Sequence, residues 1–330
     1  MSAAAPTSDE TTPRASDRLK TLIIDQPLIM LGAILVLLVI ACTIKKSSYF
    51  SGDQAGAILR YAAPLAIMAA GQTIAMLTRG IDLSMAATAT AAAYVMASNA
   101  PEGDIRAIGL GLLVGLAVGL VNGIGVGIFL VQPLIMTLGM AGIVTGLLTV
   151  QASGNRLGGT NVPDVIRELG GESLVGFVPN SLVIWTVLSV VVILALRGSG
   201  FGRMLYAYGN NPTAMRMAGM RAWQLLLTTY VLCGLLAAIS GILLAGLINA
   251  ADLGLANSLL LPSIAATVIG GTSIFGGIGT YSGTIMGALI LTVLDSFLTL
   301  LNADDSYRQI IYGLIILALV TLYAQVQRRA

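Results

Sequence analysis

Ten apolar stretches follow one another through this chain, each long enough, or nearly so, to cross about 30 Å of hydrocarbon. They centre on residues 27–44, 54–77, 83–98, 105–130, 133–150, 180–197, 224–248, 257–271, 281–300 and 307–325. In lipid every backbone N–H and C=O must find its partner within the protein, and a helix does so locally. The chain is therefore expected to be an all-α integral membrane protein of about ten transmembrane helices. The third and eighth stretches are short and read as tilted, broken or partly re-entrant. Composition agrees: 10% of the 330 residues are charged, against roughly a quarter in soluble domains. The 39 glycines suit helices that approach closely in a bilayer.

Residues 1–26 are expected to form a disordered cytoplasmic tail, rich in Ser, Thr, Pro and Ala and carrying Arg14, Arg18 and Lys20. The apolar run from Pro27 to Ile44 is too long for the core of a signal peptide and ends in KKSSYF, with no small-residue cleavage site. It reads as a retained helix opening a polytopic domain over residues 27–326. Orientation follows the distribution of Lys and Arg. Residues 173–251 contain no Asp or Glu, and their connecting segment carries Arg197, Arg203, Arg216 and Arg221, which assigns it to the cytoplasm. The segment 151–179, with Asp164, Glu168 and Glu172, fits the outer side. Both termini then lie inside.

Several chemistries are excluded. There is no histidine, so imidazole metal sites and imidazole acid–base catalysis are absent. Cys42 and Cys233 each fall within an apolar helix and read as small core residues. No basic block suggests nucleic acid. No G-x-x-x-x-G-K-[ST] phosphate loop is present. GGIGTYSG (276–283) lacks the lysine, and its glycines read as close packing and a tight turn.

Two segments echo each other. GIDLSMAATATAAAYVMA (80–97) and AADLGLANSLLLPSIAATVIGG (250–271) each place an Asp-Leu pair and small polar residues before an Ala-rich run. They lie on opposite sides of the expected membrane, as inverted repeats of helices 2–5 and 7–10 would require. At the first of them, Arg79 and Asp82 mark a junction. Gly80 permits a break, Asp82 with Ser84 is placed to cap the following helix, and Arg79 is expected to reach headgroups or water. Gln72, Asn122, Asn257, Ser258 and Thr267 are uncharged polar groups in apolar helices; they either line a path for a hydroxyl-rich solute or bond helix to helix. Asp295 is a costly carboxylate in an apolar run, facing either a path or a partner group.

The cytoplasmic segment GFGRMLYAYGNNPTAMRMAGMRAW (200–223) holds a short helix. Asn211 is a good N-cap, Pro212 fits the first helical position, and Gly219 is suited to close it. Met215, Met217 and Met220 are expected to be exposed beside Arg216. So short a helix has little stability alone, and flexible methionines with a basic residue suit a partner's groove. An ordinary capped surface helix is the plainer reading.

This segment, continuing into YVLCGLLAAISGILLAG (230–246), resembles the coupling segment of the ribose/simple-sugar permeases of bacterial ABC importers. Gly202, Arg203, Ala207, Gly209, Asn211, Ala214, Arg216 and Gly219 match the family pattern; Met215, Ala218 and Met220 depart from it. GQTIAMLTRGIDLSMAA, VNGIGVGIFLVQPLIMTLGM (121–140) and IGGTSIFGGIGTYSGTIMGALIL (269–291) resemble three further family stretches in order, with Arg79 standing where a glycine is usual. The resemblance implies a non-enzymatic permease subunit that moves a monosaccharide across the bacterial inner membrane by alternating access. It binds no cofactor; ATP and Mg sit on a cytoplasmic ATPase partner. A second permease subunit, identical or similar, and a periplasmic sugar-binding protein complete the assembly. The coupling segment 198–223 would meet the ATPase through Arg203, Gly209, Asn211, Pro212, Ala214, Arg216 and Gly219. The candidate translocation path comprises Gln72, Asp82, Ser84, Asn122, Asn257, Ser258 and Asp295. A permease for branched-chain amino acids or nucleosides is the alternative. An intramembrane protease using Asp82 and Asp295 lacks the expected sequence context, and an ion-coupled carrier using Asp295 is a further rival.

Overall fold

The computed structural model describes residues 27–153 and 162–329. The tail expected over residues 1–26 lies outside the described residues. The chain runs through α1 (Pro27–Lys45), α2 (Gly52–Leu77), α3 (Met85–Ser98), α4 (Asp104–Gly127), α5 (Pro133–Ser153) and a short α6 (Asp164–Gly171). A small hairpin of β1 (Ser173–Val175) and β2 (Val178–Pro179) leads into α7 (Asn180–Gly198), α8 (Gly200–Asn210) and α9 (Pro212–Met217). Then come α10 (Ala222–Ile248), α11 (Asn257–Ile269), α12 (Tyr281–Leu300) and α13 (Asp305–Arg329). Among the described residues seven helices are long and apolar enough to cross a membrane; α3, α11 and residues 306–321 are shorter apolar helices. Together they account for the ten stretches; the third and eighth are short as expected, and the apolar part of the tenth is short as well. The α6 helix and the hairpin were not anticipated.

Helices α2 and α10 form the centre. The most apolar window of α2 is 72% buried, whereas that of α1 is only 11% buried and that of α5 only 22%. Such apolar exposure belongs against lipid or another subunit, not water. One feature of α4 sets the central packing. Gly111, Gly115, Gly119, Gly123 and Gly127 recur every four residues, so they fall along one face of the helix. A Cβ at Gly119 would lie 2.8 Å from Val231 Cα, one at Gly123 2.9 Å from Leu227 Cα, and one at Gly127 2.9 Å from the Trp223 carbonyl. One at Gly115 would collide with the Gly234 carbonyl, and one at Gly111 would lie 2.8 Å from the Ala92 carbonyl on α3. The α4 and α10 backbones are thus in direct contact along an antiparallel seam.

The internal repeat is visible in the backbone. Among the described residues four non-glycines are left-handed: Arg79 (φ 66°), Leu130 (φ 56°), Asn249 (φ 56°) and Asn302 (φ 55°). They fall at the α2–α3, α4–α5, α10–α11 and α12–α13 joints, the same two joints in each half. The two Asp-Leu pairs also make the same turn. Asp82 Oδ1 accepts from Ser84 N at 2.9 Å, and Asp252 Oδ1 accepts from Gly254 N at 2.8 Å. The halves are inverted. The end of α2 meets the glycine turn near α8, with Gly277 N donating to Leu77 O at 3.1 Å. The end of α10 lies at the opposite end, against α6, where a Cβ at Gly170 would sit 2.6 Å from Leu247 N.

The seam predicts a contrast between two glycines of one helix. Gly119→Leu should drive α4 from α10 and destabilise the detergent-solubilised protein by more than the roughly 1–3 kcal/mol typical of added methylenes. Gly109→Leu, where a Cβ meets nothing within 4 Å, should leave the unfolding midpoint close to wild type.

Candidate functional site

The capping of the short helix α9 expected from the sequence is realised in detail. Asn211 Oδ1 accepts from Ala214 N at 3.0 Å, Pro212 occupies the first turn of α9, and Gly219 adopts φ 76° just past its end. Met215 departs from expectation. It is 4% exposed, packed into the main apolar cluster, while Met217 is 85% exposed. A six-residue helix cannot hold itself together, so one methionine anchors it and another is displayed. Arg203, Ala214, Arg216 and Gly219 are also exposed.

Helix α8 ties this surface to the membrane helices. Ser199 Oγ caps it by accepting from Gly202 N at 3.2 Å. Gly209 is buried where any side chain would strike Leu77 O and Gly277 N. Tyr206 Oη donates to Gly279 O at 2.8 Å. Burial pushes the Tyr206 phenol above its ordinary value, with the Arg197 charge opposing, so it is a donor here. The glycines of 276–279 form the tight turn expected of them; Gly276 and Gly277 have φ 85° and 74°.

Arg79 does not reach for headgroups as expected. Its Nε donates to Gly209 O at 2.7 Å and its Nη2 to Asn210 O at 2.9 Å. These are free carbonyls at the C-terminus of α8, where a cation is favoured by both hydrogen bonding and the helix dipole. The side chain therefore fastens the α2–α3 break to the residues immediately before α9. Its left-handed backbone explains why a glycine is usual at this position. Arginine accepts that conformation in exchange for the two bonds.

Behind Arg79 lies a buried polar knot. Gln72 Nε2 donates to Asp82 O at 2.7 Å, and Asp82 N donates to Gln72 Oε1 at 3.3 Å. Ser84 Oγ donates to Asp82 Oδ1 at 2.6 Å and accepts from Asn122 Nδ2 at 2.8 Å. Ser84 is the N-cap residue of α3, but its side chain does not cap the helix; the hydroxyl is spent on Asp82. Thr137 joins α5 to the knot, accepting from Leu83 N and donating to Ile81 O, both at 3.1 Å. It lay unnoticed within the PLIMTLG stretch. Gln72, Asp82, Ser84 and Asn122 are each at most 1% exposed. In this conformation they hold the break together and line no open path. Thr267 likewise spends its hydroxyl on helix carbonyls, Ser263 O at 2.8 Å and Ala69 O at 3.2 Å.

The other three candidates come together elsewhere. Asn257, Ser258 and Asp295 line a cavity of about 580 Å³ at the end of the bundle opposite α8 and α9. Asp295 is paired with Arg308 Nη1 at 3.2 Å and accepts from Tyr312 Oη at 3.0 Å. Arg308 and Tyr312 escaped sequence reading because only the α12–α13 turn brings them to Asp295.

Removing the Arg79 side chain should loosen the junction in a graded way. Each bond to a charged donor contributes on the order of 1 kcal/mol at a partly exposed site, and glycine recovers about 1 kcal/mol of left-handed strain. Thermal unfolding of the purified chain should rank wild type above Arg79→Gly, and Arg79→Gly above Arg79→Ala. Equal midpoints for the two variants would contradict the backbone argument.

Comparison with known proteins covers nearly the whole of this architecture. The chain is 33% identical over 296 residues to the ribose import permease protein of Escherichia coli strain K12, covering 87% of this chain and 90% of that protein. It is 34% identical over 292 residues to a probable ABC transporter permease protein of Sinorhizobium fredii, 88% of this chain and 87% of that one. It is 34% identical over 277 residues to the autoinducer 2 import system permease protein of Yersinia pseudotuberculosis serotype O:3, 83% of this chain and 78% of that one. No solved structure matches. Residues 54–320, from the first turn of α2 into α13, match a family model: this chain belongs to the family of branched-chain amino acid transport system permease components.

Proposed function

We propose that this chain is the permease subunit of an ATP-binding-cassette importer that moves a monosaccharide across the bacterial inner membrane, with both termini in the cytoplasm. The observation that carries the reading is identity of 33% across 87% of the chain to a protein named for ribose import. The family description speaks of branched-chain amino acids, and such a substrate, or a nucleoside, is the alternative. The ribose and autoinducer 2 importers among the relatives favour a hydroxylated solute.

Energy comes from ATP and Mg on a separate cytoplasmic ATPase; this chain has no phosphate loop of its own. The segment 198–223 receives that partner. Met217 and Arg216 project from α9 into its groove, while Met215 and the Asn211 cap keep the helix rigid enough to transmit a push. The push reaches the membrane through α8, whose Gly209–Asn210 end is bonded to Arg79 and packed on Gly277. A second permease subunit completes the pore, and a periplasmic sugar-binding protein delivers the solute. Rocking of the two permeases about the inverted halves then alternates access.

The coupling role is tested by Ala214→Pro, which removes the N–H held by Asn211 and disfavours helix at Thr213. In the reconstituted importer, sugar uptake should fall at least tenfold relative to ATP hydrolysis, with normal amounts of the chain in the membrane. Uptake at the wild-type rate would sink the coupling role.

A further inference from the structure

The cavity between α2, α10, α11, α12 and α13 holds a partly exposed carboxylate in the apolar body of the bundle. Asp295 lies five residues before the end of α12, roughly 8 Å along the helix axis, yet its side chain is 42% exposed. A carboxylate at that depth cannot face lipid without large cost, and such groups face a partner or a water-filled space. Here it does both. Arg308 approaches both carboxylate oxygens, at 3.2 and 3.3 Å, and Tyr312 donates at 3.0 Å. The remainder of the carboxylate is open to a cavity of about 580 Å³. That volume suits a small molecule.

The chemistry of the lining narrows the occupant. The two charges neutralise each other, so the cavity has no net attraction for an ion. A paired carboxylate and guanidinium still present acceptor and donor sites side by side, the arrangement that vicinal hydroxyls match. Asn257 and Ser258 add uncharged donors and acceptors from the first turn of α11, and Leu65 and Leu244 supply apolar wall. The cavity opens at the end of the bundle opposite α8 and α9, the end at which a solute arriving from outside would enter. The geometry points to this cavity as a solute-binding station for a small polyhydroxylated molecule, held by the Asp295–Arg308 pair on its way through the permease. The inference rests on the sugar-importer reading. It adds that the permease itself contributes to recognition.

The test is import kinetics of the complete importer with D-ribose, D-galactose and myo-inositol as labelled solutes. For whichever of them the wild type imports, Asp295→Asn and Arg308→Gln should each raise KM about tenfold or more, with a smaller fall in Vmax. The double variant Asp295→Asn/Arg308→Gln separates binding from structure. A purely structural pair predicts that removing both charges restores import, whereas a binding station predicts that KM stays raised. Unchanged KM in the single variants, or restored import in the double, overturns the station alone. A wild type that imports none of the three solutes overturns the sugar reading and the station with it. Where charge variants fail to accumulate, Ser258→Cys serves: an imported sugar should slow its labelling by a membrane-impermeant maleimide severalfold, and absence of protection overturns the proposal.

Discussion

The contact between the backbones of α4 and α10 is the constraint from which the rest of the bundle follows. In lipid, helices gain nothing from leaving hydrocarbon for hydrocarbon; they associate through close packing and polar bonds. Glycines at every fourth position of α4 remove the side chains that would keep two helices apart, and Gly234 does the same from the other side. With α10 held in the centre, its small polar residues reach the backbone of α2. Cys233 Sγ donates to Gly71 O at 3.2 Å and Ser240 Oγ to Pro64 O at 2.7 Å. The two long central helices are thereby fixed to each other, and the breaks at their ends are placed at opposite ends of the bundle.

Those breaks are built from one local motif and put to different uses. Asp82 and Asp252 each fold the chain by accepting an N–H two residues on. Asp252 does so exposed, while Asp82 is buried among Ser84, Gln72 and Asn122. A buried carboxylate needs such partners, so the first break is a rigid knot where the second is a surface turn. The rigid copy is also the one joined, through Arg79, to the helix that precedes α9. Under the proposed coupling role, a displacement of α9 would be carried to a stiff joint between two membrane helices and not dissipated in a loose loop.

Much of this was legible in the residues because the signals are local. Hydropathy placed all ten apolar helices and flagged α3 and α11 as short, and the Asn-Pro start and glycine end of α9 were readable as caps. The echo of two Asp-Leu segments announced the repeat that the left-handed joints then displayed. Contacts distant in sequence were not legible. The face on which Met215 lies could not be separated from that of Met217 in a helix of barely two turns. Arg79 read as an interfacial snorkelling residue, since nothing near it in sequence names the carbonyls of residues 209 and 210. The seven polar path candidates formed one set in sequence; in space four tie a knot near α8 and three line a cavity at the other end.

The sequence by itself determined the class of protein, the order and length of its helices, the caps of α9 and its family pattern. Each depends on interactions within a few residues or on the cost of placing a polar chain in lipid. Only the tertiary structure decided which polar groups spend their hydrogen bonds on the fold and which face open space. That choice rests on packing between helices far apart in the chain. The pairing of Asp295 with Arg308 and Tyr312, and of Arg79 with the end of α8, was settled there.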